Sequence, residues 1–165
     1  MERFGRHKAP VTEPDESPAD APAIRDASAI VARARADEAA ADVAREAYRT
    51  RTMPTLTADG LIQPLLGPGE RVVATRRSAH LDRRQRLPGE AADPGLAGNL
   101  YLTSRRLVLV GRLTLSFDLE EIEEAGLSGE RLLLMLRDGR GVMVDVAQPR
   151  LLRVEIAAAR AVARA

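Results

Sequence analysis

At 165 residues the chain is long enough for one ordinary domain with an extension and too short for two well-developed cores. Its apolar fraction is 45%, but Phe4, Tyr48, Tyr101 and Phe117 are its only aromatic residues, so the core must come from Leu, Val, Ile and Ala, and a stacking platform for bases or sugars is disfavoured. The absence of cysteine excludes disulfides, thiolate nucleophiles and cysteine-ligated metals, and a net charge of +1 gives no bulk attraction to nucleic acid.

Of the 25 basic residues only Lys8 is a lysine, a bias that a GC-rich coding sequence explains. The first residues, "MERFGRHKAPVTEPDESP", lack the apolar stretch of a signal peptide, and the longest aliphatic run, Leu132 to Leu136, cannot span a bilayer. The expectation is a soluble, cytoplasmic chain.

Residues 1–22 combine Pro10, Pro14, Pro18 and Pro22 with acids and few apolar side chains, which predicts a disordered tail. From Ala23 to about Thr50 there is no Gly or Pro, and a long helical arm over 23–52 is expected. Its larger apolar residues, Ile24, Ile30, Val31, Val43 and Tyr48, form no dense stripe, and Ala27, Ala34, Ala41 and Ala44 fill the face between them. So thin a stripe packs lightly on its own domain or against a partner. Residues 53–69 read as a linker with one helical turn around Asp59 to Leu66.

After Glu70 the apolar period becomes two. In "RVVATRRSAHLD" the parity slips between Val72/Ala74 and Ala79/Leu81, which a bulge near Arg76 and Arg77 reconciles. A polar loop, "RRQRLPGEAADPGLAGN", precedes "LYLTSRRLVLVG", whose two alternating runs flank Thr103 to Arg106 as a hairpin turn with solvated arginines. Gly111 is expected to supply positive φ in the next turn. Leu113, Leu115, Phe117 and Leu119 share a face of the following strand, and three more strands turn at Ser128-Gly129 and Asp138-Gly139. Pro149 then opens a terminal helix with Leu152, Ile156, Ala159 and Ala163 on one side and Arg150, Arg153, Arg160 and Arg164 on its basic outer side. About seven short antiparallel strands without crossover helices argue for a barrel or sandwich, one open end of which the last helix closes by burying Leu151, Leu152 and Ile156.

This order of elements resembles the pleckstrin-homology-like (PH-like) superfamily, in particular bacterial PH and GRAM-like domains. The phrases that carry the resemblance are "LLGPGERVV", "LYLTSRRLVLV", "FDLEEIEEAGL" and the closing helix, so that it covers Leu65 to about Ala163. The resemblance implies a mainly β fold: a bent, seven-stranded antiparallel half-open barrel over residues 70–165, capped by the C-terminal helix. It also implies a headgroup or anion site at the end of the first strand and in the loop after it. The matching residues are Arg76, Arg77, His80, Arg83, Arg84 and Arg86. The closing helix departs from lipid-binding members in having no Trp, and the loop has no lysine.

Planar guanidinium forks suit phosphate and carboxylate, although the same loop also reads as a solvated segment balanced by Asp82, Glu90 and Asp93. The acidic run Asp118, Glu120, Glu121, Glu123 and Glu124 reads as a solvated strand edge rather than a converging metal site. His7 and His80 have no metal spacing, no nucleophile has a base beside it, and the glycine pairs match no phosphate-binding fingerprint. No cofactor, metal, catalytic residue or small-molecule substrate is expected. The reading is a non-enzymatic binding or scaffolding module that contacts proteins or self-assembles through its helical arm and a barrel edge. The alternative is a peripheral membrane adaptor whose arginine loop docks on anionic headgroups, and nucleic-acid binding ranks third.

Overall fold

The computed structural model describes residues 20–50, 53–83 and 96–164. Helix α1 covers Asp20–Thr50, and a 3-10 turn at Gln63–Leu65 precedes the sheet. Its strands are β1 Val72–Arg83, β2 Leu96–Thr103, β3 Arg106–Gly111, β4 Thr114–Asp118, β5 Ile122–Ser128, β6 Arg131–Leu136 and β7 Gly141–Asp145, and helix α2 follows at Pro149–Ala163. Most of the expected tail lies outside the described residues; Asp20 to Pro22 already belong to α1, because a proline in the first turn forfeits only an N–H that has no helical partner. The polar loop ends earlier than its composition indicates, since Leu96 to Gly98 already pair with β1.

The seven strands form one antiparallel sheet in the order β4-β3-β2-β1-β7-β6-β5. Strand β1 joins its two halves. It pairs with β2 along most of its length, and its last residues, His80 to Arg83, also pair with β7. The sheet bends around this shared strand, leaving β4 and β5 as its unjoined ends, and α2 packs its apolar face onto the interior. This is the half-open barrel with a capping helix that the resemblance implied.

Alternation fills the interior. Leu100, Leu102, Leu107 and Leu109 from one half meet Leu132, Leu134 and Val144 from the other, and Leu152, Ile156 and Ala159 of α2 close over them. Each such aliphatic side chain contributes about 1.5–3 kcal/mol on burial. Ala163, expected on the same face, is exposed in the last turn of α2.

The outward side chains of β2 and β3 are buried as well. Tyr101 and Val108 lie with Val72 beneath Ile62, Ala58 and Leu66, so residues from the 53–69 segment cover this face. The Tyr101 hydroxyl donates to Asp59 at 2.7 Å, and Asp59 also accepts from the amides of Leu61 and Ile62.

The β1 bulge is present: pairing with β2 shifts between Arg76 and Ala79, and Ser78 adopts φ 55°. Gly111 behaves differently from expectation, because it lies in β3 rather than in a positive-φ turn. It faces Gly98 across the ladder, and a Cβ on Gly111 would stand 2.1 Å from the Ala97 carbonyl oxygen. The requirement is close backbone approach.

The "TSRR" turn is also less solvated than its composition indicates. Arg105 is exposed, but Thr103 is fully buried and Arg106 grips Glu70 through Nε at 2.9 Å and Nη2 at 3.0 Å. The Thr103 hydroxyl donates to Glu70 at 2.6 Å and accepts from the amides of Arg105 and Arg106. This network ties the β2–β3 turn to the entry of β1.

Candidate functional site

Strand alternation, reset by the bulge after Arg76, decides where the predicted site residues go. Arg76, before the register shift, turns inward and places Nη2 2.7 Å from Glu155 of α2, with the two side chains only 10% and 9% exposed. Burial pushes the Glu155 carboxyl up and the Arg76 charge opposes it, as expected for an acid removed from water beside one cation. Tyr48 of α1 lies close enough for the Glu155 charge to reinforce the upward push that burial gives its hydroxyl. Arg76 therefore ties β1 to the capping helix.

Arg77, one residue later, faces outward and is exposed. His80 is half-buried, opposite Ala97 of β2 and Asp145 of β7. Arg83 ends β1 opposite Val142, and Arg84 and Arg86 lie outside the described residues. The structure thus separates Arg76 from Arg77 on opposite sides of one strand.

Arg77 opens onto a groove of about 650 Å³ between α1 and the barrel, within the ~300–1,000 Å³ range of ligand clefts. Its apolar lining comes from Ile30 and Ala36 of α1 and from Val146, Ala147 and Pro149 after β7. Arg33 stands on the helix wall and Arg77 on the barrel wall. Ser78 and Gln148, the only non-glycine residues with positive φ among those described, both line it. Such conformations cost about 1–3 kcal/mol each and gather where a binding surface must be held in one shape.

The groove exists because α1 is locked at a fixed position. Asp37 is 4% exposed and accepts from the amides of Arg150 at 2.8 Å and Leu151 at 3.0 Å, capping the first turn of α2 from another element. Ala41 and Ala44 continue the same stripe against Val154, with Tyr48 and Leu151 at its margin. Small residues let the two helices approach closely, so the thin alanine stripe of α1 is matched to a helix of its own chain. Arg150 reinforces the lock, with both terminal nitrogens on Glu130 at 2.7 and 2.8 Å, Nη1 3.7 Å from Asp37 and Nε 3.3 Å from Glu38. The basic outer side expected of α2 is accordingly in part consumed by structure, since Arg160 also donates to the Glu123 carbonyl.

Asp37 carried no signal of its own in sequence. The indirect signal is Gln148, a poor N-cap residue immediately before Pro149, which makes no side-chain cap and leaves the first turn of α2 needing a remote acceptor. The acidic run Asp118, Glu120, Glu121, Glu123 and Glu124 is exposed, and the described residues contain no cluster of potential metal ligands. No helix among them is long and apolar enough to cross a membrane.

Fold and groove together define a half-open, seven-stranded antiparallel barrel with a helical arm docked on its capping helix. Comparison with solved structures returns the N-terminal PH domain of Vps36, at 18% identity and a TM-score of 0.43, covering 62% of this chain and 92% of that one. It also returns the C-terminal domain of an unknown protein from Leishmania infantum, at 12% identity and a TM-score of 0.45, covering 61% and 91%, respectively. The PH domain of USP37 is similar at 17% identity and a TM-score of 0.38, covering 53% of this chain and 95% of its own. No protein-family profile matches the chain, and no curated protein matches it.

Proposed function

We propose that this chain is a non-enzymatic binding module that recognises protein, with the groove between α1 and the barrel as its recognition surface. The observation that carries the reading is the clamp of Asp37 on the first turn of α2. It holds α1 in place as one wall of an open, largely apolar-lined cleft, while Ile30 and Val31 on that helix remain 46% and 49% exposed. A prepared concave surface with fixed walls and uncovered aliphatic residues beside it suits an inserted segment of another chain. A flat bilayer surface does not enter a cleft of this kind. In this reading residues 70–165 are the module and residues 23–52 the arm that completes its site.

Selection of a displayed random heptapeptide library on the full chain tests this. Selected peptides are expected to bind the parent chain and to lose binding when Ala36→Trp or Ala147→Trp fills the groove. Peptides indifferent to both fillings would overturn the reading. So would phosphatidylserine vesicles that bind the chain at low salt and are released by Arg83→Ala with Arg84→Ala, which would favour the headgroup site instead.

A further inference from the structure

The geometry points to an acidic, aliphatic-containing peptide in extended conformation as the occupant of the groove. This rests on the groove being the recognition surface and specifies the chemistry of what enters it. The charge balance of the lining is lopsided once existing pairs are counted. Asp37 is taken by two α2 amides, Glu130 by the fork of Arg150, and Asp145 lies 4.0 Å from Arg131. The Asp59 carboxylate, near enough to Arg77 to be held down partly by its charge, is first of all occupied by Tyr101 and by the amides of Ile62 and Leu61. By contrast, Arg33 and Arg77 are exposed and make no ion pair with the described side chains of residues 27–50, 53–82 and 96–164. Two guanidinium groups on opposite walls thus face a cleft in which Asp37 and Glu130 are already engaged and Asp145 lies within reach of Arg131. Carboxylates spaced along one strand answer them.

The backbone supplies the second half of the match. Arg77 and Ser78 fall in the register shift, so neither has a β2 partner, and pairing of β1 with β7 begins only at His80. The chain then diverges from β1 through Val146 to Gln148, so that no residue of β7 pairs with Arg77 or Ser78 beside the apolar floor. An extended segment can use that backbone for hydrogen bonds, place alternate aliphatic side chains on Ile30, Val146 and Pro149, and direct the intervening carboxylates to the arginines.

The test uses three fluorescein-labelled pentapeptides, EVDLE, its uncharged isostere QVNLQ and the charge-reversed KVKLK, titrated into the full chain by fluorescence anisotropy and followed by amide NMR. EVDLE is expected to bind in a salt-dependent manner, to shift the amides of Arg77, Ser78 and Gln148, and to exceed QVNLQ by about tenfold or more. Arg33→Gln and Arg77→Gln, both at exposed positions, each weaken it by about three- to fivefold and together by more than tenfold. Equal binding of QVNLQ, or tighter binding of KVKLK, with the same amide shifts would leave the groove as the recognition surface and refute its acidic specificity. No shift in the groove with any peptide would sink both. Phosphatidylserine vesicles that displace EVDLE in the parent chain but bind neither arginine variant would reassign the two guanidiniums to a membrane surface and overturn the inference.

Discussion

Replacing Glu70 by Gln removes one charge from the network that joins β1 to the β2–β3 turn while keeping nearly the same shape. Glu70 is 9% exposed, and burial pushes its carboxyl up; hydrogen bonds from Arg106, Thr103 and the Gly67 amide, together with the Arg106 charge, outweigh that and hold it at about 2 against an ordinary 4.5. At about 1.36 kcal/mol per unit, a shift of that size corresponds to about 3 kcal/mol of stability. Because the folded value is depressed, the contribution is fully present above pH 4.5 and is lost as the pH falls from there towards 2. Urea unfolding of the parent chain and of Glu70→Gln, from pH 7 down to pH 2, measures it. The gap is expected to be about 3 kcal/mol at neutral pH, a midpoint difference of about 1–3 M with slopes of about 1–3 kcal/mol/M. It should close on acidification, because every other titrating group is common to both proteins. A gap below about 1 kcal/mol at pH 7, or one that stays constant down to pH 2, would refute the assignment of that stability to the carboxylate.

Arg76→Ala leaves Glu155 buried without its cation and is expected to cost about 3–5 kcal/mol at pH 8. Burial already holds the Glu155 carboxyl above its ordinary value, and without Arg76 it rises further. The deficit is then smaller on the acid side, where Glu155 takes a proton, and grows as the pH rises through the folded value, which thermal unfolding at pH 5 and pH 8 resolves. Asp37→Ala removes the remote cap of α2 and should destabilise the α1–α2 contact by about 1–3 kcal/mol, seen as faster hydrogen exchange along Ala41 to Tyr48 with the barrel strands unchanged. Gly98→Ala would set a Cβ 2.3 Å from the Val110 carbonyl oxygen and is expected to cost about 1–3 kcal/mol or more, whereas Gly60→Ala, with open space around it, should be near neutral; paired denaturation curves distinguish them.

Most of the barrel was legible because its information is local. The period-two runs at Leu100 to Val110 and Leu132 to Val144, the Asp138-Gly139 turn and the parity slip in β1 are each contained within a few residues, and the strands, hairpin and bulge appear where those patterns lie. The resemblance to PH-like domains rested on the same local phrases. Of its arginine site, Arg76 and Arg77 are neighbours in one strand and point to opposite faces, Arg76 to the capping helix and Arg77 to the groove, while Arg84 and Arg86 lie outside the described residues.

The sequence by itself determined the alternation of the strands, the placement of most turns and the apolar side of α2, because steric and hydrophobic preferences act over neighbours a few positions apart. The tertiary structure alone decided which charges are spent and which are free. The partners of Arg106, Arg76 and Arg150 lie 36, 79 and 20 residues away along the chain, and the acceptor for the amides of α2 lies 113 and 114 residues away. Separations of that order carry no periodic signature. The groove has the same origin: its walls come from α1, the β1 bulge and the β7–α2 connection, and only the folding of the sheet around β1 brings them to one place.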